Sequence, residues 1–295
     1  MNILVLLHSL LDPAGFTINR RAQKVFVNHE NYILNPSDKN ALEAALQLIP
    51  SPVASSSATG EGQGGGSTVT AVALGDSHAA DALRQARSMG AHRAILIQDP
   101  TLKQADAFVV TNVLRGVAQH LGDIDLVLLG AEVLDADLAQ VGPRLATALD
   151  WPFIADAHAI APSRAPRERY RGKIASGKIA EHPNGGNHRG PGVAVIVKQP
   201  DGFHQLTADL PAVISVAVHS NKPRYPHGRA IVDIYRAPEA VEILAAADLR
   251  LTAADLTPLV TRRGESFPPE RELGKRLEGG LDEVANQLAN VIRMK

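Results

Sequence analysis

The sequence predicts an α/β fold with an open, parallel-type sheet flanked by helices. Short apolar runs alternate with helical patterns, as is typical of parallel strands joined by crossover helices. Four runs are predicted as strands, at 2–7, 69–74, 93–97 and 126–129. The run at 126–129 is continuously apolar and is followed by Gly130, which suits a strand covered on both faces.

The first helix is specified by the sequence NPSDKNALEAALQL. Asn35 is predicted to cap it, Pro36 suits the first helical position, and Asp38 lies in the first turn, where acidic side chains are favoured. The serine and glycine content of residues 51–68 cannot build a core. A stretch of that segment resembles a P-loop but lacks its lysine and has no strand directly before it, so we predict a flexible insertion.

Later helices are predicted from caps and from apolar periodicity. The second runs from about Ser77 and ends at Gly90, because glycine adopts the left-handed conformation that closes a helix. The third covers 102–121 and has one apolar face. The fourth opens near Asp137, where unpaired backbone N–H groups and the helix dipole favour an anion such as a phosphate. For this segment alone, ordinary capping by Asp137 is the simpler explanation of the acidic loop.

After Trp151 the chain changes to shorter β-type runs, at 155–160, 192–198 and 210–216. A second flexible insertion is predicted at 181–192 because of its glycine content. We predict a nucleotide-binding α/β domain at 1–225.

Residues 226–295 are predicted to form a docking loop and an extended C-terminal arm. Two short apolar pieces, at 230–235 and 240–247, precede a strongly polar stretch. Gly280 then precedes an amphipathic terminal helix. Such an arm either packs on a partner or folds back on its own domain.

Composition excludes several classes of function. The 295 residues carry a net charge of −1 with mixed signs, which gives no electrostatic basis for binding nucleic acid. The absence of cysteine excludes disulfides, thiolate chemistry and iron–sulfur ligation, and fits a cytoplasmic location. The apolar amino terminus is short and lacks a basic region, so we predict a buried strand rather than a signal peptide. No apolar run approaches the roughly 18 residues needed for membrane insertion.

Two alternative functions follow from individual motifs. Ser77 lies between a predicted strand and a helix, as in the nucleophile elbow of serine hydrolases, but Ala79 replaces the second glycine, and helix capping is the simpler explanation. The alternating strands and helices also suit a nucleotide-binding regulatory protein of the universal stress type, although no glycine-rich ATP loop is found. His182 and His188 lack an obvious third metal ligand.

Five sequence blocks, in order, resemble the beta subunit of electron transfer flavoproteins. The blocks are ILVLLHSLLD, NPSDKNALEAA, VTAVALGDSHAADALRQARSMGAHRAILI, DLVLLGAEVLDADLAQVGPRLATALDWP and LPAVISVAVHSNKPRY. Together they cover most of residues 1–225. The resemblance implies an adenine nucleotide alpha hydrolase-like fold and an electron carrier subunit that is not an enzyme by itself.

The resemblance also implies cofactors and partners. An alpha subunit holds most of an FAD that the two subunits share. The heterodimer carries electrons from a flavoprotein dehydrogenase to a quinone reductase, and so towards the respiratory chain. The beta subunit itself binds AMP, or a second FAD in electron-bifurcating relatives. Carried over by position, the nucleotide site is lined by Leu6, Asn35, Pro36, Ser37, Asp38, Leu74, Asp135, Ala136, Asp137, Gln140, Val141, Gly142 and Pro143.

Within that implied site, we expect the backbone N–H groups around 140–142 to bind the phosphate. The adenine is expected near Leu6 and Leu74, while Asp135 and Asp137 suit ribose hydroxyls better than a phosphate because of their charge. At Ala139 and Val141 the family has asparagine and threonine, so two polar phosphate contacts are missing.

The proposed docking segment departs from the family as well. Pro223, Arg224 and Tyr225 are expected to dock the electron donor, or else to stabilise a turn. The family's lysine-rich helix is replaced here by VDIYRAPEA, and its anchoring leucine aligns near Gly228. Pro13 stands where the family has an aromatic residue that faces the flavin. We therefore expect a different dehydrogenase partner, one for small methylated amines.

Overall fold

The computed structural model of the chain describes residues 1–49, 66–134, 139–163, 192–261, 264, 266–269, 274 and 276–293. The chain divides into two units. Unit 1 comprises Met1–Phe16 and Val27–Thr261, and unit 2 comprises Thr17–Phe26 and Arg262–Lys295. The predicted insertions at 51–68 and 181–192 lie outside the described residues, apart from their last residues, which lead into strands.

The secondary structure follows the alternation that the sequence predicts. The strands are β1 (Asn2–Leu7), β2 (Ser9–Leu11), β3 (Phe16–Asn19), β4 (Lys24–Val27), β5 (Tyr32–Leu34), β6 (Thr68–Leu74), β7 (Arg93–Ile97), β8 (Leu126–Gly130), β9 (Phe153–Ser163), β10 (Gly192–Gln199), β11 (Gly202–Asp209), β12 (Ala212–Val216) and β13 (Glu242–Leu244). The α-helices are α1 (Pro36–Leu48), α2 (Ser77–Met89), α3 (Ala107–Leu121), α4 (Val141–Leu149), α5 (Gly228–Arg236) and α6 (Leu281–Arg293).

Nine of these strands form one sheet, in the order β11-β10-β9-β12-β8-β1-β6-β7-β13. The strands from β9 through β12 to β13 pair in parallel, whereas β10 pairs antiparallel with both β9 and β11. The predicted α/β class with a parallel-type open sheet flanked by helices is therefore confirmed. Strand β11 was not predicted, because an edge strand with polar residues such as His204 and Gln205 lacks a continuous apolar signal.

The core lies on both faces of this sheet. Successive side chains of a strand point to opposite faces. In β1, Ile3 and Val5 pack in a cluster with α1 and α2, whereas Leu4 and Leu6 pack in a cluster with α3 and α4. The central strand β1 lies between β8 and β6, with Val5 opposite Leu128 and Ala71. Apolar packing on both faces of the sheet thus holds the strands whose ends form the site.

Helix α2 begins at Ser77 as predicted, but its cap differs, and the start of α3 differs from the sequence-based prediction. Asp76, rather than Ser77, caps α2 by accepting a hydrogen bond from the backbone N–H of His78. The single helix predicted over 102–121 is a 3-10 helix followed by α3, which begins only at Ala107. The reason is the carboxylate of Asp106, which accepts from the backbone N–H of Val109 and so defines a new helix start.

The start of α4 and the segment after 225 also differ. Helix α4 begins at Val141, not near Asp137, and Pro143 fits its first turn because a proline lacks the N–H that would be unpaired there. The apolar piece at 230–235 is part of helix α5, and the piece at 240–247 contains the edge strand β13. The sheet therefore continues beyond residue 225.

Within unit 2, the described elements are most of the β3–β4 hairpin and the terminal helix α6. Helix α6 confirms the predicted amphipathic terminal helix. Its apolar residues Leu281, Leu288, Val291 and Ile292 are exposed. That this arm packs on a partner stays a prediction. None of the helices within the described part of the chain is long and apolar enough to cross a membrane.

The cap of α3 gives a test of the fold. Besides Val109, the Asp106 carboxylate accepts from the N–H groups of Leu259 and Val260. We expect Asp106→Ala to lower the free energy of unfolding by about 2 kcal/mol at pH 7, because these groups lose their acceptor. Urea unfolding measures the change. Asp123→Ala, at an exposed aspartate after the same helix, is the matched control, and an equal loss in both variants would contradict the assignment.

The same pair of variants has a defined pH dependence. Burial alone raises the pKa of Asp106, but the backbone hydrogen bonds outweigh burial and leave the pKa below its ordinary value of 3.8. Such a carboxylate stabilises the fold above its unfolded pKa, and this contribution is lost as the pH falls through the lower folded pKa. The difference between wild type and Asp106→Ala is therefore expected to shrink below about pH 4.

Candidate functional site

The two central strands β1 and β8 define the place where an open sheet binds ligands. From β1 the chain passes through α1 to β6 on one side, whereas the connection from β7 through α3 returns to β8 on the other side. Helices α1 and α3 pack on opposite faces. The loops after β1 and β8 therefore separate, and the crevice between them is the topological switch point of the sheet.

A single carboxylate joins the two strand ends at this crevice. Asp38 Oδ1 accepts from the backbone N–H of Gly130 at 3.0 Å, and Oδ2 accepts from the backbone N–H of His8 at 2.8 Å. The His8 ring nitrogen Nδ1 lies 3.2 Å from the same Oδ2. The Asp38 side chain is only 1% exposed. Asp38 thus binds backbone donors of β1 and β8 at once.

Glycine at 130 is required by this arrangement. A Cβ there would lie 2.4 Å from Asp38 Oδ1, 2.8 Å from Asp38 N and 2.8 Å from Ser37 C. These contacts are far shorter than van der Waals distances and involve backbone atoms. Only glycine therefore lets the start of α1 approach the end of β8.

Asn35 and Ser37 also fasten the start of α1. The Asn35 side-chain amide donates to the Glu132 carbonyl at 2.8 Å, and the Ser37 hydroxyl donates to the Val216 carbonyl at 3.1 Å. Asn35 lies at the N-cap position of α1 as predicted, but its side chain makes no capping hydrogen bond, because the amide donates to the loop after β8 instead. The start of α1 is thereby tied to the ends of β1, β8 and β12.

The predicted nucleotide-site residues near β1 and α1 lie together, but several have little accessible surface. Leu6, Asn35, Ser37 and Asp38 are buried, whereas Pro36 and Leu74 are partly exposed. Leu6 packs in the cluster on the α3 and α4 face, with Leu74 beside that cluster. A ligand at the crevice would therefore meet mainly backbone groups and the few partly exposed side chains.

The start of α4 provides the second part of the predicted site. Val141 and Gly142 are buried, and Gly142 approaches the Phe153 ring so closely that a Cβ would lie 2.7 Å from it. Gln140 is exposed and accepts from Arg144 Nε at 3.2 Å. Pro143 lies in a cleft of about 410 Å³ between α3 and α4. As at any helix start, the first N–H groups of α4 lack intrahelical acceptors.

Three predicted site residues, Asp135, Ala136 and Asp137, lie outside the described residues. The two departures from the family pattern differ in their surroundings. Ala139 is exposed, whereas Val141 is fully buried in the core. The side-chain polar group that remains at the start of α4 is Gln140.

The predicted docking residue Arg224 is anchored by an ion pair with Glu43 of α1. Glu43 accepts from the Arg224 backbone N–H and from Nε and Nη2 at 2.8–3.1 Å. The Glu43 side chain is 5% exposed and that of Arg224 is 36% exposed. Burial alone raises the pKa of Glu43, but hydrogen bonds from Arg224 and Gln47 outweigh burial and leave the pKa below its ordinary value of 4.5. The guanidinium is thus committed within the chain.

The neighbouring residues of this segment are fixed in the same way. Asn40 and Asn221 exchange hydrogen bonds, with Asn40 Nδ2 donating to Asn221 Oδ1 and Asn221 Nδ2 donating to the Asn40 carbonyl. Pro223 is partly exposed, and Tyr225 is 87% exposed. The segment 221–225 is therefore held by α1, and its Tyr225 side chain points to solvent.

Helix α5 extends this exposed surface. It packs against α2, and the Tyr235 ring lies 5.8 Å from the Arg84 guanidinium carbon. Ile231, Val232 and Tyr235 are nevertheless exposed. We name Tyr225 together with these three side chains the α5 surface. It is an apolar surface next to the anchored segment.

Ser77 lies on a strand–turn–helix connection, as the hydrolase alternative requires. Within the described ranges, however, no hydrogen bond joins Ser77 to a histidine, and the neighbouring His78 ring stacks on Tyr32 at 3.7 Å between ring centroids. His182 and His188 lie outside the described residues. Among the residues that are described, no group of three or more His, Asp or Glu side chains is arranged to hold a metal ion.

Sequence reasoning missed His8, Gly130 and Glu43 as parts of the site. Gly130 was assigned only the role of ending a strand, and Glu43 was not considered. A signal for Glu43 existed, because an acidic residue on the buried side of a helix requires a partner. The identity of that partner, 181 positions away, was not readable from the sequence.

Comparison of the sequence with known proteins identifies the family of this chain. Residues 23–182, more than half of the chain, match the model described as electron transfer flavoprotein domain. The electron transfer flavoprotein subunit beta of Thermoanaerobacterium thermosaccharolyticum is 28% identical over 280 residues, which covers 90% of this chain and 92% of that protein. The corresponding subunit of Bacillus subtilis is 28% identical over 294 residues, which covers 99% of this chain and 98% of that protein.

A further relative is named as part of a reductase complex. Subunit CarD of the caffeyl-CoA reductase-Etf complex of Acetobacterium woodii is 27% identical over 297 residues, which covers 100% of this chain and 99% of that protein. The resemblance inferred from the five sequence blocks is thereby confirmed.

The contact between α1 and β8 gives a direct test of the crevice. We expect Gly130→Ala to lower the free energy of unfolding by about 3 kcal/mol, because the added Cβ would collide with Asp38 and Ser37. Gly228→Ala, where a Cβ would meet nothing within 4 Å, is the matched control and should be nearly neutral. Chemical denaturation of both variants measures the effect, and similar stabilities would refute the close approach.

Proposed function

Because the chain belongs to the electron transfer flavoprotein family, we propose that this electron transfer subunit is the beta subunit of a heterodimer. In this proposal an alpha subunit holds most of the FAD. A flavoprotein dehydrogenase donates electrons to that FAD, and a quinone reductase accepts them and passes them to the respiratory chain. The location that suits this role is the cytoplasm.

The observation that carries the proposal is the crevice at the switch point of the sheet. Strand ends, the start of α1 and the start of α4 converge where open α/β sheets bind nucleotides. We propose that AMP occupies this place, with its phosphate at the backbone N–H groups of 140–142. Gln140 is the nearby polar side chain that supports this placement. A second FAD in the same place is the alternative nucleotide.

The role of this chain in electron transfer is positioning. When bound, FAD would supply the redox chemistry, and this chain would shape its surroundings. The AMP would act as a structural ligand, which stabilises the native state by binding to it and not to the unfolded chain. The chain's own residues then orient the segment that contacts the electron donor.

We propose the α5 surface as the place where the donor docks. Exposed tyrosine and β-branched side chains next to a segment held by an ion pair form a preorganised contact. The lysine-rich helix of the family is absent from this surface, so a donor with a less acidic docking face fits it better. A dehydrogenase of small methylated amines remains the proposed donor.

The heterodimer itself can be tested by coexpression with an alpha-type subunit. We expect a yellow one-to-one complex that contains one FAD and releases one further nucleotide on denaturation. Absorbance spectra and mass spectrometry of the released nucleotide measure both and distinguish AMP from a second FAD. A colourless chain that never pairs would contradict the proposed function.

The docking surface can be tested in the same complex. We expect Tyr225→Ala to slow flavin reduction by the donor dehydrogenase about tenfold, because an exposed tyrosine at an interface centre contributes strongly to binding. Reduction by dithionite and the flavin content should stay unchanged. Phe203→Ala, at an exposed aromatic residue of β11, is the matched control. Equal donor rates for wild type and Tyr225→Ala would remove Tyr225 from the docking surface.

A further inference from the structure

The His8 ring occupies a special position at the end of β1. Its Nδ1 lies 3.2 Å from Asp38 Oδ2, and the side chain is 18% exposed, whereas Asp38 is 1% exposed. Asp38 itself is held by the backbone N–H groups of His8 and Gly130. The ring is therefore fastened on one edge by a carboxylate that has no freedom to move.

This contact determines which ring nitrogen carries the proton. An ionised carboxylate only accepts hydrogen bonds, so Nδ1 must be the donor. In the neutral ring the other nitrogen, Nε2, is then a hydrogen-bond acceptor. Among the residues that the structure describes, Nε2 has no hydrogen-bond partner, and it is not a buried atom. In its neutral form His8 thus offers one fixed acceptor at the switch point.

The electrostatics of the crevice decide what that acceptor can bind. The Asp38 charge is buried beside His8, and the backbone donors of His8 and Gly130 are already used by it. A phosphate at this point would meet a negative charge without free donors. A neutral group that donates a hydrogen bond fits instead, and in a nucleotide such groups are the ribose hydroxyls and the amino group of the base.

We propose that His8 is a specificity residue of the nucleotide site, whose Nε2 accepts a hydrogen bond from the nucleoside part of the ligand. Asp38 is the positioning residue that holds its tautomer and orientation. This inference rests on the proposed nucleotide function. It separates the site into a nucleoside end at β1 and a phosphate end at the start of α4.

The test uses the full-length chain in its heterodimer, stripped of nucleotide and titrated with AMP by calorimetry. His8→Phe keeps a ring but removes the acceptor, and we expect its Kd for AMP to rise about five- to tenfold, the value of one hydrogen bond. His120→Phe, at an exposed histidine of α3, is the matched control and should bind AMP as wild type does. Thermal unfolding of each variant checks that it folds.

Three AMP analogues identify the donor group. They are 2′-deoxy-AMP, 3′-deoxy-AMP and purine riboside monophosphate, which lacks the amino group. We expect one of them to bind wild type about five- to tenfold more weakly than AMP. That difference should disappear in His8→Phe, because the acceptor is then absent. A purely structural role of His8 would leave this discrimination intact.

The outcomes separate the two hypotheses. If wild type binds AMP but all three analogues bind equally well, the inference about His8 is wrong while the nucleotide site stands. The same conclusion follows if His8→Phe folds and retains the discrimination of wild type. If wild type binds neither AMP nor FAD at this site, the proposed nucleotide function fails, and the inference about His8 fails with it. If His8→Phe does not fold, the analogue series on wild type still refutes the inference when all three analogues bind as tightly as AMP.

Discussion

The carboxylate of Asp38 is the contact on which the site depends. It is buried, and it accepts hydrogen bonds from the backbone N–H groups of His8, directly after β1, and of Gly130, the last residue of β8. A buried carboxylate without such donors would be strongly destabilising, so the hydrogen bonds fix the start of α1 over the two strand ends. The absence of a side chain at Gly130 makes this approach possible. The position of α1 in turn determines where Asn35 and Ser37 donate to the loop after β8 and to the end of β12.

Helix α1 connects two regions that have different proposed roles. Its first turn closes the crevice at the switch point, and its middle holds the segment after β12 through Asn40 and Glu43. Arg224 is consequently an anchor within the chain, and Tyr225 is the side chain left for a partner. A rigid helix between the two regions would keep the proposed nucleotide site and the proposed docking surface in a constant relation.

The two ends of the crevice, near β1 and at the start of α4, differ in their electrostatics. The buried negative charge of Asp38 disfavours a phosphate near β1, whereas the start of α4, whose first N–H groups lack intrahelical acceptors, would favour a phosphate there. In the proposed nucleotide site, the alanine and valine at 139 and 141 would leave the backbone to supply most of the phosphate contacts.

The sequence by itself determined the elements and the family. Periodicity and caps located β1, the start of α1 at Pro36 and the end of α2 at Gly90, because such signals act over a few neighbouring residues. Only the tertiary structure decided which polar groups meet. Asp38 was expected to favour a helix start and instead joins two strands, and Glu43 pairs with a residue 181 positions away. Pairings of this kind depend on the packing of distant segments, which no local pattern in the sequence encodes.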